Sequence, residues 1–389
     1  MNRKVILLIL LILIQIPCYS QINSGWDFTK LKNAEDYSHI IGTFAFILMT
    51  DGKVVKAWGD TVTPSNLQSA RKVISSTIYN IYLGKGKGRL DPDKTLAELG
   101  IDDYPNPLTD IQKQAKVIHL IKSISGINHN ADAEIQQMRD DKNHRLGINP
   151  NIPGTKWAYN NWDYNTLNTI FEQEIQISEK EAFFKNIVYP LGMHDIDDNT
   201  ITFTKDTSVS VHPAIQYSLS ARDMAKFGQL CLNNGNWKGK QLVPEEYFRK
   251  ITTDFTKTGM SGLDSGHGYM WWIPCDNIAK EMGIPAGTYH ASGVGAQHII
   301  IIPEWNTVII HKSFINANEG IILYAKQEGY SESFVMENLS AIVDELVDFI
   351  YNKCKEPEYM ENEICKKCRI VDDSDFNKLL QKIINAKIK

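Results

Sequence analysis

Hydrophobic positions along this chain change period three times, and the changes divide it. "FAFILMTDGKVVKAWG", from Phe44 to Gly59, reads as two strands joined at Asp51-Gly52, a dipeptide favoured in two-residue hairpin turns. Past Pro64 the period lengthens. Apolar residues recur at Val73, Ile74, Ile78, Ile81 and Tyr82, with Thr77 on the same face, which is helical spacing. Ser65 or Ser69 can begin that helix and Gly84 can end it. From about residue 91 to 264 helical patterns dominate, as in "IQKQAKVIHLIKSI", "NTLNTIFEQEI" and "ARDMAKFGQLCLNNG". Polar stretches between them, such as "NHNADAE" and "HRLGINPNIPG", read as surface loops. Strand patterns return in "GYMWWIP" and in "YHASGVGAQHIIIIPEWNTVIIHKS", which turns at Pro303-Glu304-Trp305-Asn306. "MENLSAIVDELVDFIYNK" then predicts a long amphipathic helix.

The order strands, helices, strands, helix predicts an α+β fold. An antiparallel sheet built from both chain ends is flanked by helices, and a mainly helical region is inserted between its two parts. No internal repeat is visible. The expected divisions are residues 21–352 as one domain, with a sheet lobe over 21–90 and 265–352 and a helical lobe over 91–264. Residues 353–389 form a cysteine-bearing tail.

The first twenty residues differ from the rest. Arg3 and Lys4 precede an apolar run from Val5 to Pro17, followed by Cys18, Tyr19 and Ser20. That is the order of a secretory leader, too short to span a bilayer comfortably, with cleavage expected after Ser20. The expected location is outside the cytoplasm, periplasmic in a two-membrane bacterium. The alternative is a lipoprotein anchored at Cys18, and Pro17 directly before it argues against that. No later segment is apolar enough to cross a membrane. Without the leader five cysteines remain: Cys231, Cys275, Cys354, Cys365 and Cys368. An oxidising compartment favours a disulfide over a metal site for the three in the tail, with the pairing open.

With 389 residues and 43% hydrophobic content, the chain suits one large or two interleaved domains. A net charge of −5 gives no reason to expect nucleic acid. "KGKGR", Lys85 to Arg89, reads as a solvated turn. There is no HExxH motif and no close His/Asp cluster at ligand spacing, so no metal centre or other cofactor is implied. G-x-S-x-G, the elbow of another hydrolase fold, is absent too.

The candidate chemistry lies at the start of the first predicted helix. Ser69 and Lys72 are three apart, so they share one helical face. A serine hydroxyl needs a base, and a lysine can be that base only where burial and nearby positive charge depress its pKa. The apolar residues after Lys72 supply the burial. Taken alone, the spacing is weak evidence, and a polar helix start followed by a surface lysine explains it better.

Other segments shift that balance. "SARKVISSTIYNIYLGKGKGRLD", "PGTKWAYNNWDYNTLNTIFEQ", "YPLGMHD", "SLSARDMAKFGQLCLNNGNWKGKQLVPEEYF", "HGYMWWIP" and "ASGVGAQHIIIIPEWNTVIIH" occur in this order. Together they resemble the serine β-lactamase and penicillin-binding-protein superfamily, in its class C and esterase-like branch. The likeness spans roughly Thr43 to Lys312. It implies a β-lactamase/transpeptidase-like fold and an acyl-enzyme mechanism. In that mechanism Ser69 is the nucleophile, Lys72 shares or removes its proton, and Tyr159 relays the proton to the leaving group. Asn161 holds the substrate's acyl side. The oxyanion hole is formed by the Ser69 backbone N–H with one from the strand near Gly293-Val294. Ser292 lines the site, and His290 either reaches it or is an ordinary satisfied histidine.

Two departures bear on the substrate. Penicillin-recognising members carry Lys-Thr-Gly as the third motif, whereas this chain has Ala291-Ser292-Gly293 preceded by His290. The lysine that helps hold a lactam carboxylate is missing, which favours an ester or amide without that anionic handle. "SISG", Ser123 to Gly126, stands where many members have His-Thr-Ser-Gly, and it is expected to be structural. Trp271 and Trp272 are expected in the core or the cleft wall, and Asp223 in a cap or pair within its helix. Loops at Asn128–Pro153 and Thr253–His267 should wall the pocket. The reading is therefore an exported serine hydrolase acting on a small ester, amide or peptide. The rival is a catalytically silent module that binds cell-wall peptide, motivated by the altered third motif. A true β-lactamase or D-Ala-D-Ala carboxypeptidase is a lesser alternative.

Overall fold

The computed structural model describes residues 25–313 and 317–338 without a break, and part of 342–388. The leader, Cys18 and Cys368 lie outside the described residues, as does much of the helix expected over 336–353. Within that stretch Ile342, Leu346 and Ile350 are buried together at i, i+4 spacing.

The main sheet has eight strands: β1 (Ala45–Thr50), β2 (Lys53–Gly59), β3 (Thr256–Lys257), β4 (Gly266–Gly268), β5 (Trp271–Ile273), β6 (Tyr289–Gly293), β7 (Gln297–Ile302) and β8 (Thr307–Lys312). Their order is β2-β1-β8-β7-β6-β5-β4-β3, with every pairing antiparallel. β1 pairs with β8 from Ala45↔Lys312 to Thr50↔Thr307, so strands from the two ends of the region lie side by side in the middle of the sheet. The Asp51-Gly52 hairpin forms as the sequence implies, with both residues at positive φ (53° and 70°).

Both faces of the sheet are covered, which explains the unbroken isoleucine run of β7. Ile299 and Ile301 face a core shared with helix α5 (Ala221–Leu232), while Ile300 and Ile302 face a second core. Gly228 of α5 sits so close to the sheet that a Cβ would lie 2.6 Å from Val308 Cγ1. The second core packs under α1 (Phe28–Ile41) and α6 (Asp373–Ala386). Helix α6 buries Phe376, Leu379, Leu380, Ile383 and Ile384, a stripe at helical spacing. Two features therefore extend the sheet lobe past the limits read from sequence: β3 enters before residue 265, and residues 373–386 of the tail belong to it. The disulfide lies in the tail as well, joining Cys354 to Cys365 with Cα atoms 5.1 Å apart. Cys231 and Cys275 are free and buried.

The helical lobe is built around α2 (Lys72–Tyr82), with α3 (Gln136–Leu146) and α4 (Asn161–Ile175) beside the cleft. Every α2 residue from Lys72 to Asn80 is buried, as in a central helix that packs on all sides. Helix α2 starts later than Ser69 and ends before Gly84. Arg89 folds back to donate to the Ile81 carbonyl (3.2 Å) and the Leu83 carbonyl, so the basic "KGKGR" turn closes the helix end. The "QQMRDDKNHRL" segment expected as loop is helix α3. It has no apolar stripe, so periodicity could not reveal it. Asp223 is buried and accepts from the His194 and Asp195 backbone N–H groups, which ties the "YPLGMHD" segment to α5.

Lys312 at the end of β8 is wholly buried. Its amine donates to the carbonyls of Ser65 (3.1 Å) and Leu219, two short-strand residues that pair beside the Ser69 turn. Burial pushes this amine from the ordinary 10.5 down to about 7. An unfolded lysine stays protonated up to its ordinary value, so between pH 7 and 10.5 the unfolded chain binds the extra proton. This residue therefore makes stability rise with pH in that window, by up to about 1.4 kcal/mol per unit, and contributes no slope below it. Denaturant unfolding at pH 7 and pH 9 checks this against Lys312→Met. The wild type should gain roughly 2 kcal/mol relative to the variant between the two pH values, and an unchanged difference contradicts the assignment.

Candidate active site

The turn that carries Ser69 is set by three local features. Ser65–Asn66 pairs with the strand Ala214–Leu219, and Leu67 N–H donates to the Tyr217 carbonyl at 2.9 Å. Gln68 then adopts φ 50°, fixed by its N–H donating to Asn66 Oδ1 at 2.7 Å. A single 3₁₀ turn, Gln68–Arg71, leads into α2. Ser69 is thus raised on a tight strand-to-helix turn instead of standing in the first α-helical turn. The i, i+3 relation to Lys72 survives because 3₁₀ geometry stacks those positions.

Lys72 is buried, and its Nζ has three partners: Ser69 Oγ at 3.0 Å, Asn161 Oδ1 at 2.7 Å and Tyr159 Oη. A neutral amine has two N–H groups and one lone pair. Asn161 Oδ1 can only accept, so one N–H goes there, and the second N–H and the lone pair are left for the two hydroxyls. Burial, and then the adjacent Arg71 guanidinium, hold the Lys72 amine well below its ordinary value, opposed by Glu134. Arg71 is itself buried and donates to the Gln68 carbonyl at 3.1 Å. The sequence reading does not single it out, although it stands between Ser69 and Lys72.

Tyr159 and Asn161 arrive from the start of α4. Asn160 caps this helix, accepting from Trp162 N–H at 3.2 Å, so its two neighbours are fixed at the helix entrance. The Tyr159 ring stacks on Trp272 (centroids 5.4 Å apart, 17° between planes) and meets the edges of Tyr164 and His267. Burial pushes its phenol up to about 12, with the Ser69 hydroxyl and Arg71 opposing, so it keeps its proton at neutral pH. His267 is pushed down to about 3 by burial and the Lys72 charge; its Nδ1 lies 3.2 Å from Trp157 Nε1, which as a donor leaves it the acceptor. Trp271 points the other way, into the core, and donates to Tyr247 Oη at 2.8 Å. In "SISG", Ser123 bonds Tyr164 and Ser125 bonds Asp163, both supports of the α4 entrance.

A cavity of about 300 Å³ opens over Ser69. Its lining includes Tyr159, Trp272, Ser292, Gly293, Val294 and Met260, with Gln137, Met138 and Asp141 from α3 and Asp373 from α6. Both segments expected as walls contribute, the first through a helix. Gly293 is required by close approach: a Cβ there would sit 2.4 Å from the Leu67 carbonyl oxygen and 2.9 Å from Ala70 N. The end of β6 therefore lies directly against the Ser69 turn.

Two sequence-predicted residues are placed differently. His290 is buried behind the cleft wall, its Nε2 facing the Leu263 carbonyl and Asp264 Oδ1, both at 3.2 Å, because the Gly262–Asp264 turn packs over the ring. Asn161 is buried with both ends of its amide engaged, Oδ1 by Lys72 and Nδ2 by the Ala133 carbonyl at 2.6 Å. It does not line the cavity over Ser69. Among the described residues no group of three or more His, Cys, Asp or Glu could hold a metal ion, and no helix is long and apolar enough to cross a membrane.

Comparison with known proteins agrees with this geometry. The family model described as Beta-lactamase matches residues 31–328. A candidate β-lactamase of Bacteroides dorei superposes with a TM-score of 0.54 at 15% identity, over 82% of this chain and 99% of that one. A penicillin-binding protein of Bacillus halodurans does so at 0.51 with 16% identity, over 72% and 93%. An uncharacterized protein of Alkalihalophilus pseudofirmus is 27% identical over 95 residues, which are 24% of this chain and only 28% of that relative's length. The chain belongs to the β-lactamase family, within the serine β-lactamase and penicillin-binding-protein superfamily.

Proposed function

We propose that this protein is an exported serine hydrolase that cleaves an ester or amide through an acyl-Ser69 intermediate. The observation that carries the reading is the buried, charge-depressed Lys72 amine 3.0 Å from Ser69 Oγ and in contact with Tyr159 Oη. Ser69 Oγ attacks the substrate carbonyl carbon and its proton passes to Lys72 Nζ. The Tyr159 phenol gives its proton to the departing alcohol or amine, and takes one back from Lys72. Water then adds to the acyl carbon, losing a proton to the same pair, and releases the acid with Ser69 restored. Arg71 favours the neutral amine, and Asn161 holds it in line. The Ser69 N–H and the backbone at Gly293-Val294 take the oxyanion, a role favoured by their close approach. His290 plays no direct part.

No lysine stands in the third motif, and His290 is turned away from the cleft, so an ester or amide is favoured over a β-lactam. The Cys354–Cys365 disulfide suits an oxidising compartment and supports export. Turnover measured across short-chain esters, aryl amides and β-lactams tests the reading. Ester or amide turnover is expected. Reversible binding of cell-wall peptides, unaffected by Ser69→Ala and without turnover of anything, would favour the silent-module reading.

Gly293→Ala tests the oxyanion arrangement. The added methyl has to push β6 away from the Ser69 turn, and kcat/KM should fall by about 10²-fold, the cost of losing one oxyanion donor. Far-UV circular dichroism should stay unchanged. A variant within twofold of wild type would remove this strand from the mechanism.

A further inference from the structure

Two carboxylates line the cavity over Ser69, and among the described residues no lysine or arginine lines it. Asp141 comes from α3 and Asp373 from the first turn of α6, on opposite lobes, yet both line the space that holds Ser69 and Tyr159. The site itself is defined by the nucleophile and its cavity; the acids set the charge of its wall.

The two acids are not equivalent. Asp141 Oδ2 accepts from Arg145 Nε at 2.7 Å, so its charge is largely matched. Asp373, exposed as a residue, lines the cavity with its carboxyl partly shielded from water. Asp372 beside it does the capping of α6, accepting from Asp375 N–H at 2.8 Å. Asp264 adds a third carboxylate behind the wall, its Oδ1 3.2 Å from His290 Nε2. Burial, then Asp264 and Asp372, raise the Asp373 carboxyl, with His290 opposing. The surrounding field is therefore negative, and a cation would relieve it. The remaining lining, with Trp272, Tyr159, Met138 and Met260, suits the apolar shell of an alkylated ammonium. Arg71 is buried beneath the turn and does not line the cavity.

We propose that this cleft selects substrates that carry an ammonium group, with Asp373 as the main specificity-determining residue and Asp141 assisting. The assignment rests on the acyl-serine reading above and adds the charge class of its substrate. It also accounts for the missing lysine of the third motif, since an anionic group in this cavity would face carboxylates.

Three 4-nitrophenyl esters with acyl chains of equal length test it, ending in trimethylammonium, tert-butyl or carboxylate. At low ionic strength kcat/KM for the cationic ester should exceed that for its neutral isostere by about tenfold, equivalent to about 1.4 kcal/mol, and the anionic ester should be slowest. The cation-to-neutral ratio should approach one in Asp373→Asn, fall in Asp141→Asn, and shrink with added salt. Equal rates for the three esters would overturn the charge selection and leave the serine hydrolase reading intact. A ratio that persists in the double variant would overturn the assignment to these acids. No turnover and no acylation with any of the three would overturn both readings.

Discussion

Ser69→Ala should lower kcat/KM on a short-chain ester by at least about 10⁴-fold while leaving the fold intact, since a lost nucleophile cannot be replaced by its partners. The hydroxyl sits on a turn whose shape is set by backbone bonds at Leu67 and Gln68, so the truncation removes little packing. Unfolding transitions of variant and wild type should coincide within about 1 kcal/mol. A Ser69→Ala protein with more than a tenth of wild-type turnover would mean that the ester bond is broken by another group.

Replacing Lys72 should cost nearly as much, about 10³-fold or more, and the kind of replacement distinguishes its role. Lys72→Met removes the base and the charge. Lys72→Arg keeps a charge that no accessible pH removes. If the amine acts as a neutral base, both variants lose activity alike; substantial activity in the arginine variant would show that positive charge alone suffices. The pH profile carries a second sign. Burial and Arg71 hold the Lys72 amine well below its ordinary value, so kcat/KM should fall as acid protonates the amine. Arg71→Met removes a like charge, raises that pKa, and should move the acid limb to higher pH. An unmoved limb would show that Arg71 does not tune the amine.

Much of the fold could be read from sequence because the patterns that signal it are local. The Asp51-Gly52 hairpin needs only its dipeptide, and the β7–β8 pair needs only two apolar runs about a turn. The order of elements implies a sheet built from both chain ends, and β1 does pair with β8. Two helices escape the reading for different reasons. Helix α3 has no apolar stripe, so "QQMRDDKNHRL" looks like loop although it supplies three residues of the cavity wall. The α6 stripe from Phe376 to Ile384 was present in the sequence and was passed over as a charged tail. At the site, Ser69, Lys72 and Tyr159 could be named because the family's motifs carry them. The left-handed Gln68 could not, since no side-chain pattern marks it. Asn161 does meet Lys72, with its Nδ2 taken by the Ala133 carbonyl; His290, which the sequence leaves either at the site or as an ordinary histidine, lies under the Gly262–Asp264 turn. Asp373 joins the cleft only through the docking of the last helix.

The most direct test of the central claim is intact-mass and peptide mapping of the mature protein after a fluorophosphonate at neutral pH. The account predicts a single phosphonyl adduct on the Ser69 hydroxyl, formed quickly in the wild type and at least about 10²-fold more slowly in Lys72→Met. Folded wild-type protein that gains no adduct, or gains one on another residue, would contradict it.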